Sequence, residues 1–400
     1  MNQGNMTFNM GYDFDLVTDR RGTNSLKWNV GATELPMWVA DMDFTTAPAI
    51  IDAVMEKARQ GVFGYEVVPN TFNQAIANWW SSRYAWTIGR DWIHFVDGIV
   101  PAISSLIRTF AAPGEGVVVQ SPVYHLFYSS IAAGGRTALV NNLAYHHGRF
   151  HIDWDDLEAK LADPAAKIFL LCNPQNPTGQ LWTAPDLAMM SELANHHGVL
   201  VISDDIHCDL TQPGIAYTPL GAVARPDNTI TLVSPTKAFN IPGLQTAAVI
   251  VPDPDLRAQA VAGLRRDELT GANSFAVEAT IAAYTRSGQW LDELRAYVWK
   301  NKQHLADVIG RSMPELAVVP SQATYLSWVD CSGLAGDSSG FAAFLREKTG
   351  LVVNPGQIYG DNTKDFIRIN LACPASVVED GLDRLAAGVR AWQEHPAPSP

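Results

Sequence analysis

The sequence contains few cysteines, and their spacing argues against two kinds of structural site. Four occur in 400 residues, at Cys172, Cys208, Cys331 and Cys373. Because no two form a Cys-x-x-Cys pair, neither a disulfide framework nor a zinc site is expected. The paired histidines at 146–147 and 196–197 have no further ligands at helical spacing. We therefore expect reduced, mostly buried cysteines and no bound metal.

Basic residues are also scarce, and no long apolar run is present. The chain has 28 Lys and Arg against 41 Asp and Glu, a net charge of −13. The basic residues form no stripe that could follow a nucleic-acid backbone, so we do not expect this protein to bind nucleic acid. No apolar run approaches the roughly 18 residues of a membrane span. Residues 1–6 lack the features of a signal peptide, which predicts a cytoplasmic protein with no membrane contact.

What is abundant is apolar sequence arranged in short runs. Hydrophobic residues make up 47% of the chain, enough for a large core and two or three structural units. Strands are predicted at 93–96, 117–120, 168–172, 199–203, 229–233 and 247–251, with helical patterns between them. Several of these runs are apolar throughout, as in strands buried on both faces. The pattern predicts an α/β sheet covered by helices.

The pattern changes near residue 290, which predicts a second, smaller α+β domain. Helices are expected at 290–309, 340–348 and 375–393, and strands at 317–320, 324–329 and 366–370. We predict a large domain at 48–290 and a small domain at 291–395. Residues 1–47 would pack on the small domain or on a partner subunit, and 396–400 would form a frayed tail.

The most informative motif is a lysine that follows the apolar run 229–233. A lone loop lysine is usually a solvated surface charge. Here Ser234 and Thr236 supply two hydroxyls beside Lys237, and Gly243 allows the backbone to turn beneath them. An amine next to a phosphate cradle is what a pyridoxal 5′-phosphate enzyme needs, since the cofactor aldehyde forms a Schiff base with lysine.

Two more motifs follow predicted buried strands. Asp204 could hold a protonated pyridine nitrogen, although an Asp at this place is also a common helix N-cap. Asn176 lies between two prolines and precedes Thr178 and Gly179, which predicts a turn. Its amide could donate to the phenolic oxygen of the cofactor.

Two weaker motifs could complete the cofactor site. The segment Gly98, Ile99 and Val100 precedes a helical run, and amides at a helix N-terminus bind phosphate. Tyr124 could lie against the pyridine ring, but a core or rim tyrosine is equally consistent with the composition.

Arg368 stands among apolar neighbours in the strand predicted at 366–370. The planar guanidinium of this arginine can form two hydrogen bonds to a carboxylate, so it could bind the α-carboxylate of a substrate. The alternative is an edge-strand arginine in water.

Taken in order, these motifs resemble the class I/II aminotransferase family, fold type I of the pyridoxal 5′-phosphate enzymes. The segments 37–44, 63–65, 203–207 and 237–244 resemble its MalY/PatB branch of cystathionine β-lyases and C–S lyases. The resemblance implies a large, mostly parallel sheet with a smaller C-terminal domain, and a homodimer with shared sites. Lys237 would be the Schiff-base lysine, Tyr65 would reach the phosphate of the neighbouring subunit, and Ala40 and Asn176 would contact substrate.

Three positions depart from the resemblance. His207 stands where transaminases usually have a tyrosine that contacts the phenolic oxygen, and we count it among the cofactor contacts. Gln245 stands where many relatives have a phosphate-binding Arg or Lys, and Asp205 where the branch commonly has Glu. Phosphate binding would therefore depend on neutral donors.

The resemblance predicts a lyase that cleaves cystathionine or a related cysteine S-conjugate to a thiol, pyruvate and ammonia. Tyr65 or Tyr124 could protonate or orient the leaving sulfur. Two alternatives stay open: an amino-acid aminotransferase, which would use the same residues, and a regulatory protein that acts by protein contact.

Overall fold

The bounds of the helices and strands come from a computed structural model, which describes residues 11–394. Within those residues the α-helices, α1 to α11 in chain order, are Pro48–Arg59, Asn70–Tyr84, Ile99–Phe110, His125–Ala133, Trp154–Leu161, Ala184–His196, Pro254–Arg266, Ala276–Arg286, Gly288–Ser312, Ser338–Thr349 and Ala375–Glu394. The strands, β1 to β15, are Leu35–Pro36, Ile93–Val96, Gly116–Ser121, Thr137–Asn142, Ala144–His146, Arg149–His151, Ala166–Cys172, Leu200–Asp204, Thr229–Val233, Ala247–Ile250, Ala317–Val318, Leu326–Asp330, Leu351–Val352, Asn354–Pro355 and Phe366–Asn370.

The large sheet has the strand order β2-β10-β9-β8-β7-β3-β4. Strand β10 runs antiparallel to β2 and β9, and the pairs from β9 to β4 are parallel. Along β7, Ile168 and Leu170 pack with α3 on one face, whereas Phe169 and Leu171 pack with α6 on the other. Burial on both faces explains the uninterrupted apolar runs. The predicted α/β fold with a mostly parallel sheet is confirmed, and all six predicted strands are present within two residues.

Sequence reasoning missed the edge strand β4 and the hairpin of β5 and β6. Strand β4 is only partly buried, and the hairpin strands have three residues each. Both therefore have a weak hydrophobic pattern.

The C-terminal part contains a second, antiparallel sheet in the order β11-β12-β15-β14. Its core includes Leu305 of α9, Leu345 of α10, Leu385 of α11 and Ile367 of β15. Strand β12 begins at Leu326 rather than at the predicted residue 324. Thr324 has φ 65°, which lies in the left-handed region and interrupts an extended strand.

The N-terminal segment contacts both parts of the chain. Strand β1 pairs in parallel with β13, and Leu35 joins the core of the small sheet. Phe14 packs against Trp290 and Tyr297. Helix α9 continues through the predicted boundary at residue 290, so the domain bounds stay a prediction. The tail predicted at 396–400 lies outside the described residues.

Three further predictions concern cysteine, metal and membrane. All four cysteines are buried and unpaired, as predicted. Between residues 11 and 394, no three His, Cys, Asp or Glu side chains are grouped so that they could hold a metal ion. In the same range, no helix combines the length and apolar character that crossing a bilayer requires. A cytoplasmic location stays a prediction.

A buried ion pair anchors the N-terminal segment. Asp43 accepts hydrogen bonds from Lys27 Nζ at 2.7 Å, from Arg20 Nη1 at 2.9 Å and from Trp28 Nε1 at 2.8 Å. Lys27 is 1% exposed and Asp43 is 4% exposed. Removal of one partner from such a pair leaves an uncompensated buried charge.

We expect Asp43→Ala to lower the free energy of unfolding by about 3–5 kcal/mol, because the buried ammonium of Lys27 would lose its 2.7 Å partner and keep only the Asp41 carboxylate, 3.9 Å away. Urea denaturation followed by circular dichroism measures this. Arg225→Ala, which breaks the exposed pair with Asp227, is the matched control and should leave the midpoint nearly unchanged. A similar, small effect of both substitutions would contradict the anchoring role.

Candidate active site

A cavity of about 260 Å³ lies at the carboxyl ends of the parallel strands. Parallel strands end at the same edge of a sheet, so residues that follow different strands meet there. Its walls include most of the predicted site residues: Ala40, Gly98, Ile99, Val100, Tyr124, Asn176, Asp204, His207, Ser234, Thr236 and Lys237. Arg368 lies just behind this wall, and Tyr65 is elsewhere.

The amine of Lys237 is directed at the backbone of the N-terminal segment. Its Nζ donates to the carbonyl oxygen of Ala40 at 2.6 Å. Burial, followed by the positive charge of Arg368, lowers the pKa of Lys237 to about 8. A neutral, nucleophilic amine is therefore accessible near physiological pH.

Asp204 is the last residue of β8 and is 4% exposed. Its Oδ1 accepts from the amide of Ile206 at 3.1 Å, and no helix begins there, so the helix N-cap alternative is wrong. Burial raises the pKa of Asp204 to about 7. No ion pair within residues 11–394 includes this carboxylate, so it lacks the cationic partner that a buried carboxylate requires.

One corner of the cavity consists of neutral hydrogen-bonding groups. The hydroxyl oxygens of Ser234 and Thr236 are 2.7 Å apart, and Ser234 Oγ donates to the carbonyl of Thr246 at 2.7 Å. Helix α3 begins at Ile99 with no side chain capping its first turn. Lys237 is the only Lys or Arg among the described cavity-lining residues, and Gln245 in the same lining is neutral.

Arg368 is held in a network that reaches the cavity through Asn176. Strand β15 lies between β12 and β14, and Arg368 is 3% exposed, so the edge-strand alternative is wrong. Its Nη1 donates to Asn176 Oδ1 at 3.2 Å, and its Nη2 donates to the carbonyl of Trp38 at 2.8 Å. The guanidinium also lies over the ring of Tyr359, 5.0 Å from its centre.

Residues 37–44 form a strap across the site and contact it through backbone carbonyls. Trp38 accepts from Arg368, Ala40 accepts from Lys237, and the carbonyls of Val39 and Asp41 each accept from Asn370 Nδ2 at 2.6 Å. The sequence motif at 37–44 had suggested only a resemblance, with Ala40 as a substrate contact.

Two titratable rings line the cavity. Burial raises the pKa of Tyr124 to about 12, so its hydroxyl keeps its proton at neutral pH. Burial, reinforced by the charges of Lys237 and Arg368, lowers the pKa of His207 to about 3. His207 is therefore neutral at neutral pH.

Two residues singled out by the sequence lie away from the cavity. Asp205 accepts a hydrogen bond from Ser203 Oγ in the interior, and burial raises its pKa to about 7. Tyr65 is fully exposed in the loop between α1 and α2. Within one chain it contributes nothing to this cavity.

Sequence reasoning missed Tyr325. Its hydroxyl donates to the carbonyl oxygen of Ala40 at 2.8 Å, beside the Lys237 amine. No motif marks it, because it precedes an ordinary apolar strand and acts on a backbone atom.

The family model described as aminotransferase class I and II matches residues 35–385. The chain belongs to this family. The predicted resemblance is thus confirmed at the level of the whole chain.

Two curated members of the MalY/PatB branch extend over almost the entire sequence. The cystathionine β-lyase PatB of Bacillus subtilis is 39% identical over 94% of this chain and all of its own length. Protein MalY of Escherichia coli is 38% identical over 95% of this chain and 99% of its own. The structure of a pyridoxal 5′-phosphate-bound C–S lyase from Staphylococcus hominis is similar with a TM-score of 0.88 and 30% identity, covering 96% of this chain and 99% of that one.

We expect the amine of Lys237 to react at a lower pH than an ordinary lysine. In full-length protein freed of cofactor, acetylation of Lys237 should reach half its maximal rate near pH 8, because only the neutral amine reacts and its pKa is lowered to about 8. Mass spectrometry of the digested protein measures this, with the partly exposed Lys167 as the reference in the same digest. A midpoint near pH 10 for Lys237 would contradict the assignment.

Proposed function

We propose that this protein is a pyridoxal 5′-phosphate-dependent carbon–sulfur β-lyase that cleaves cystathionine or a related cysteine S-conjugate. The observation that carries the proposal is the convergence of Lys237, Asp204 and the Asn176–Arg368 pair on one cavity. The activities named for PatB and for the Staphylococcus hominis enzyme support the reaction class.

The cavity fits a phosphorylated pyridine aldehyde in three respects. Asp204 is a buried carboxylate without a cation, and a protonated ring nitrogen would supply one. The corner of Ser234, Thr236 and the uncapped start of α3 provides donors for a phosphate. Lys237 supplies the amine, with its pKa lowered to about 8.

Each predicted cofactor contact has a distinct role in this proposal. Ser234, Thr236 and the amides of Ile99 and Val100 would hold the phosphate, and Tyr124 would lie against the ring. Arg368 already donates a hydrogen bond to the side-chain oxygen of Asn176. The side-chain nitrogen of Asn176 would therefore be free to donate to the phenolic oxygen of the cofactor. His207, neutral at the same wall, would line that side of the ring.

When bound, the cofactor would supply an electron sink for the negative charge that develops at the substrate Cα. Arg368 would bind the α-carboxylate, and its present acceptors, the Trp38 carbonyl and Asn176, are neutral groups that a carboxylate can replace. The neutral amine of Lys237 would remove the Cα proton. The bond from Cβ to sulfur then breaks with its electron pair on sulfur, and water releases the remaining three carbons as pyruvate and ammonia.

The charges around the cavity favour a substrate whose distal end has no net charge or is variable. Lys237 is the only cation among the described lining residues, and Arg368 is assigned to the α-carboxylate. A distal carboxylate without an ammonium group beside it would have no cationic partner there, whereas the distal end of cystathionine carries both groups. This supports a thioether amino acid as the substrate.

Lyase and aminotransferase chemistry would use the same residues, so product analysis must separate them. We expect pyruvate to form from cystathionine without an added keto acid, as measured with a coupled lactate dehydrogenase assay. Lys237→Ala should reduce the rate by about 10²–10⁴-fold or more, because the base is lost. The matched variant Lys167→Ala, at a partly exposed lysine away from the cavity, should retain activity. Strict dependence on a keto acid would show an aminotransferase instead.

We also propose a homodimer with shared sites, in which Tyr65 reaches the phosphate of the partner subunit. Support comes from the exposed position of Tyr65 and from the exposed apolar side chains Val62, Phe63 and Val67 around it. Exposed apolar clusters of this kind mark interfaces.

Mixed dimers test the shared site. Lys237→Ala and Tyr65→Ala chains should each have low activity alone, and reassembly from equal amounts should restore about a quarter of wild-type activity, because half of the dimers contain one intact site. Activity of the differently tagged, purified mixed dimer measures this directly. Activity no higher than that of the Tyr65→Ala dimer would contradict sharing.

A further inference from the structure

The carbonyl oxygen of Ala40 accepts two hydrogen bonds. One comes from Lys237 Nζ at 2.6 Å and the other from the hydroxyl of Tyr325 at 2.8 Å. A carbonyl oxygen has two lone pairs, so both acceptor positions are in use. The direction of the Ala40 carbonyl, and with it the place of the Lys237 amine, thus depends on Tyr325.

Tyr325 follows a turn whose backbone needs external support. It is completely buried, and its predecessor Thr324 has φ 65°. A β-branched residue rarely adopts the left-handed region and stays there only when its surroundings hold it. The amide of Thr324 donates to the carbonyl of Leu210 at 2.8 Å, which supports one side of the turn.

Lys302 supports the other side of the turn. Its Nζ donates to the carbonyls of Ala323 at 3.1 Å and Thr324 at 3.0 Å. Lys302 is 6% exposed, and it forms no ion pair with a carboxylate of residues 11–394. A buried ammonium without a counter-ion is unfavourable, and burial lowers its pKa to about 7. An apolar side chain could fill this space, but it could not donate to the two carbonyls.

We propose that Lys302 and Tyr325 are positioning residues, which hold the Ala40 carbonyl in place and through it the amine of Lys237. Neither side chain lines the cavity, so both act through the backbone. The inference rests on the proposed function, which makes Lys237 the reactive amine.

The readout is the pH midpoint at which Lys237 is acetylated in full-length protein freed of cofactor. The charged and titratable groups that face Lys237 are Arg368, Asp41, Asp204 and His207, and no substitution in the test alters them.

We expect Tyr325→Phe to raise the midpoint by about half a pH unit or more, because the Ala40 oxygen then accepts from the charged amine alone. Lys302→Met should also raise the midpoint, since the turn at Thr324 would relax and move the Tyr325 hydroxyl away from the Ala40 oxygen. The double variant should shift it no further than the larger single effect, because both residues act through one carbonyl.

Asn73→Ala is the matched control. Asn73 also donates to two backbone carbonyls, those of Arg90 at 2.8 Å and Ile93 at 3.1 Å, but it lies away from the cavity. It should leave the midpoint unchanged. An equal shift in Asn73→Ala, or no shift in Tyr325→Phe with a native circular dichroism spectrum, would overturn the proposal.

The test still decides the proposal if one variant fails to fold or if the lyase assay is negative. If Lys302→Met does not fold, Tyr325→Phe still decides, because it removes a single hydroxyl and keeps the ring. If cystathionine gives no pyruvate, the proposed function fails. The pH midpoint of Lys237 acetylation can still be measured, because that measurement needs no substrate. Normal turnover with unchanged midpoints would overturn the positioning role alone.

Discussion

The buried ion pair between Lys27 and Asp43 fixes the path of the strap, and the site depends on that path. The strap contacts Arg368, Lys237 and Asn370 with backbone carbonyls, not with side chains. A carbonyl can be aimed only by fixing the chain on both sides of it. Asp43 does this from within the strap, and burial of two charges is a large desolvation cost for a segment with no regular structure. This desolvation cost is offset if the ion pair keeps the strap carbonyls in the direction that their hydrogen bonds to the site require.

The fold and much of the site could be predicted because both follow from strand ends. Asp204 ends a strand that is buried on both faces, Asn176 and Lys237 each follow such a strand, and the parallel arrangement brings these ends together. The side chains there carry the chemistry, so the motif is visible in the sequence. Gly179 is also explained: it has φ 70°, and a Cβ there would lie 2.7 Å from the Ala323 carbonyl oxygen.

What could not be predicted depends on backbone atoms or on weak patterns. The strap acts through carbonyls, which every residue has, so nothing distinguishes Ala40 in the sequence. Tyr325 acts on one of those carbonyls and follows Thr324, whose left-handed φ is atypical of its residue type. Strand β4 has one partner strand and a mixed burial pattern. Tyr65 is exposed and lies outside the cavity of its own chain, and its proposed role is toward the partner subunit.

In the proposed reaction, the pKa values of the residues that line the cavity favour one of them as the acid for the leaving sulfur. His207 is neutral because burial and nearby cations lower its pKa to about 3, so it holds no acidic proton at neutral pH. Tyr124 keeps its proton, but with a pKa of about 12 it is a poor donor to a thiolate whose conjugate acid has a pKa of about 8.5.

Lys237 is better matched to that thiolate than either ring. In the proposed reaction it would become an ammonium after it takes the Cα proton, and its pKa of about 8 is close to that of the thiol. Transfer from this ammonium to sulfur is nearly balanced, whereas transfer from Tyr124 is uphill. In the proposed reaction, the same burial and the same Arg368 charge that lower the pKa of Lys237 would suit it both as the base and as the acid for the departing thiolate, and Tyr124 would contact the ring.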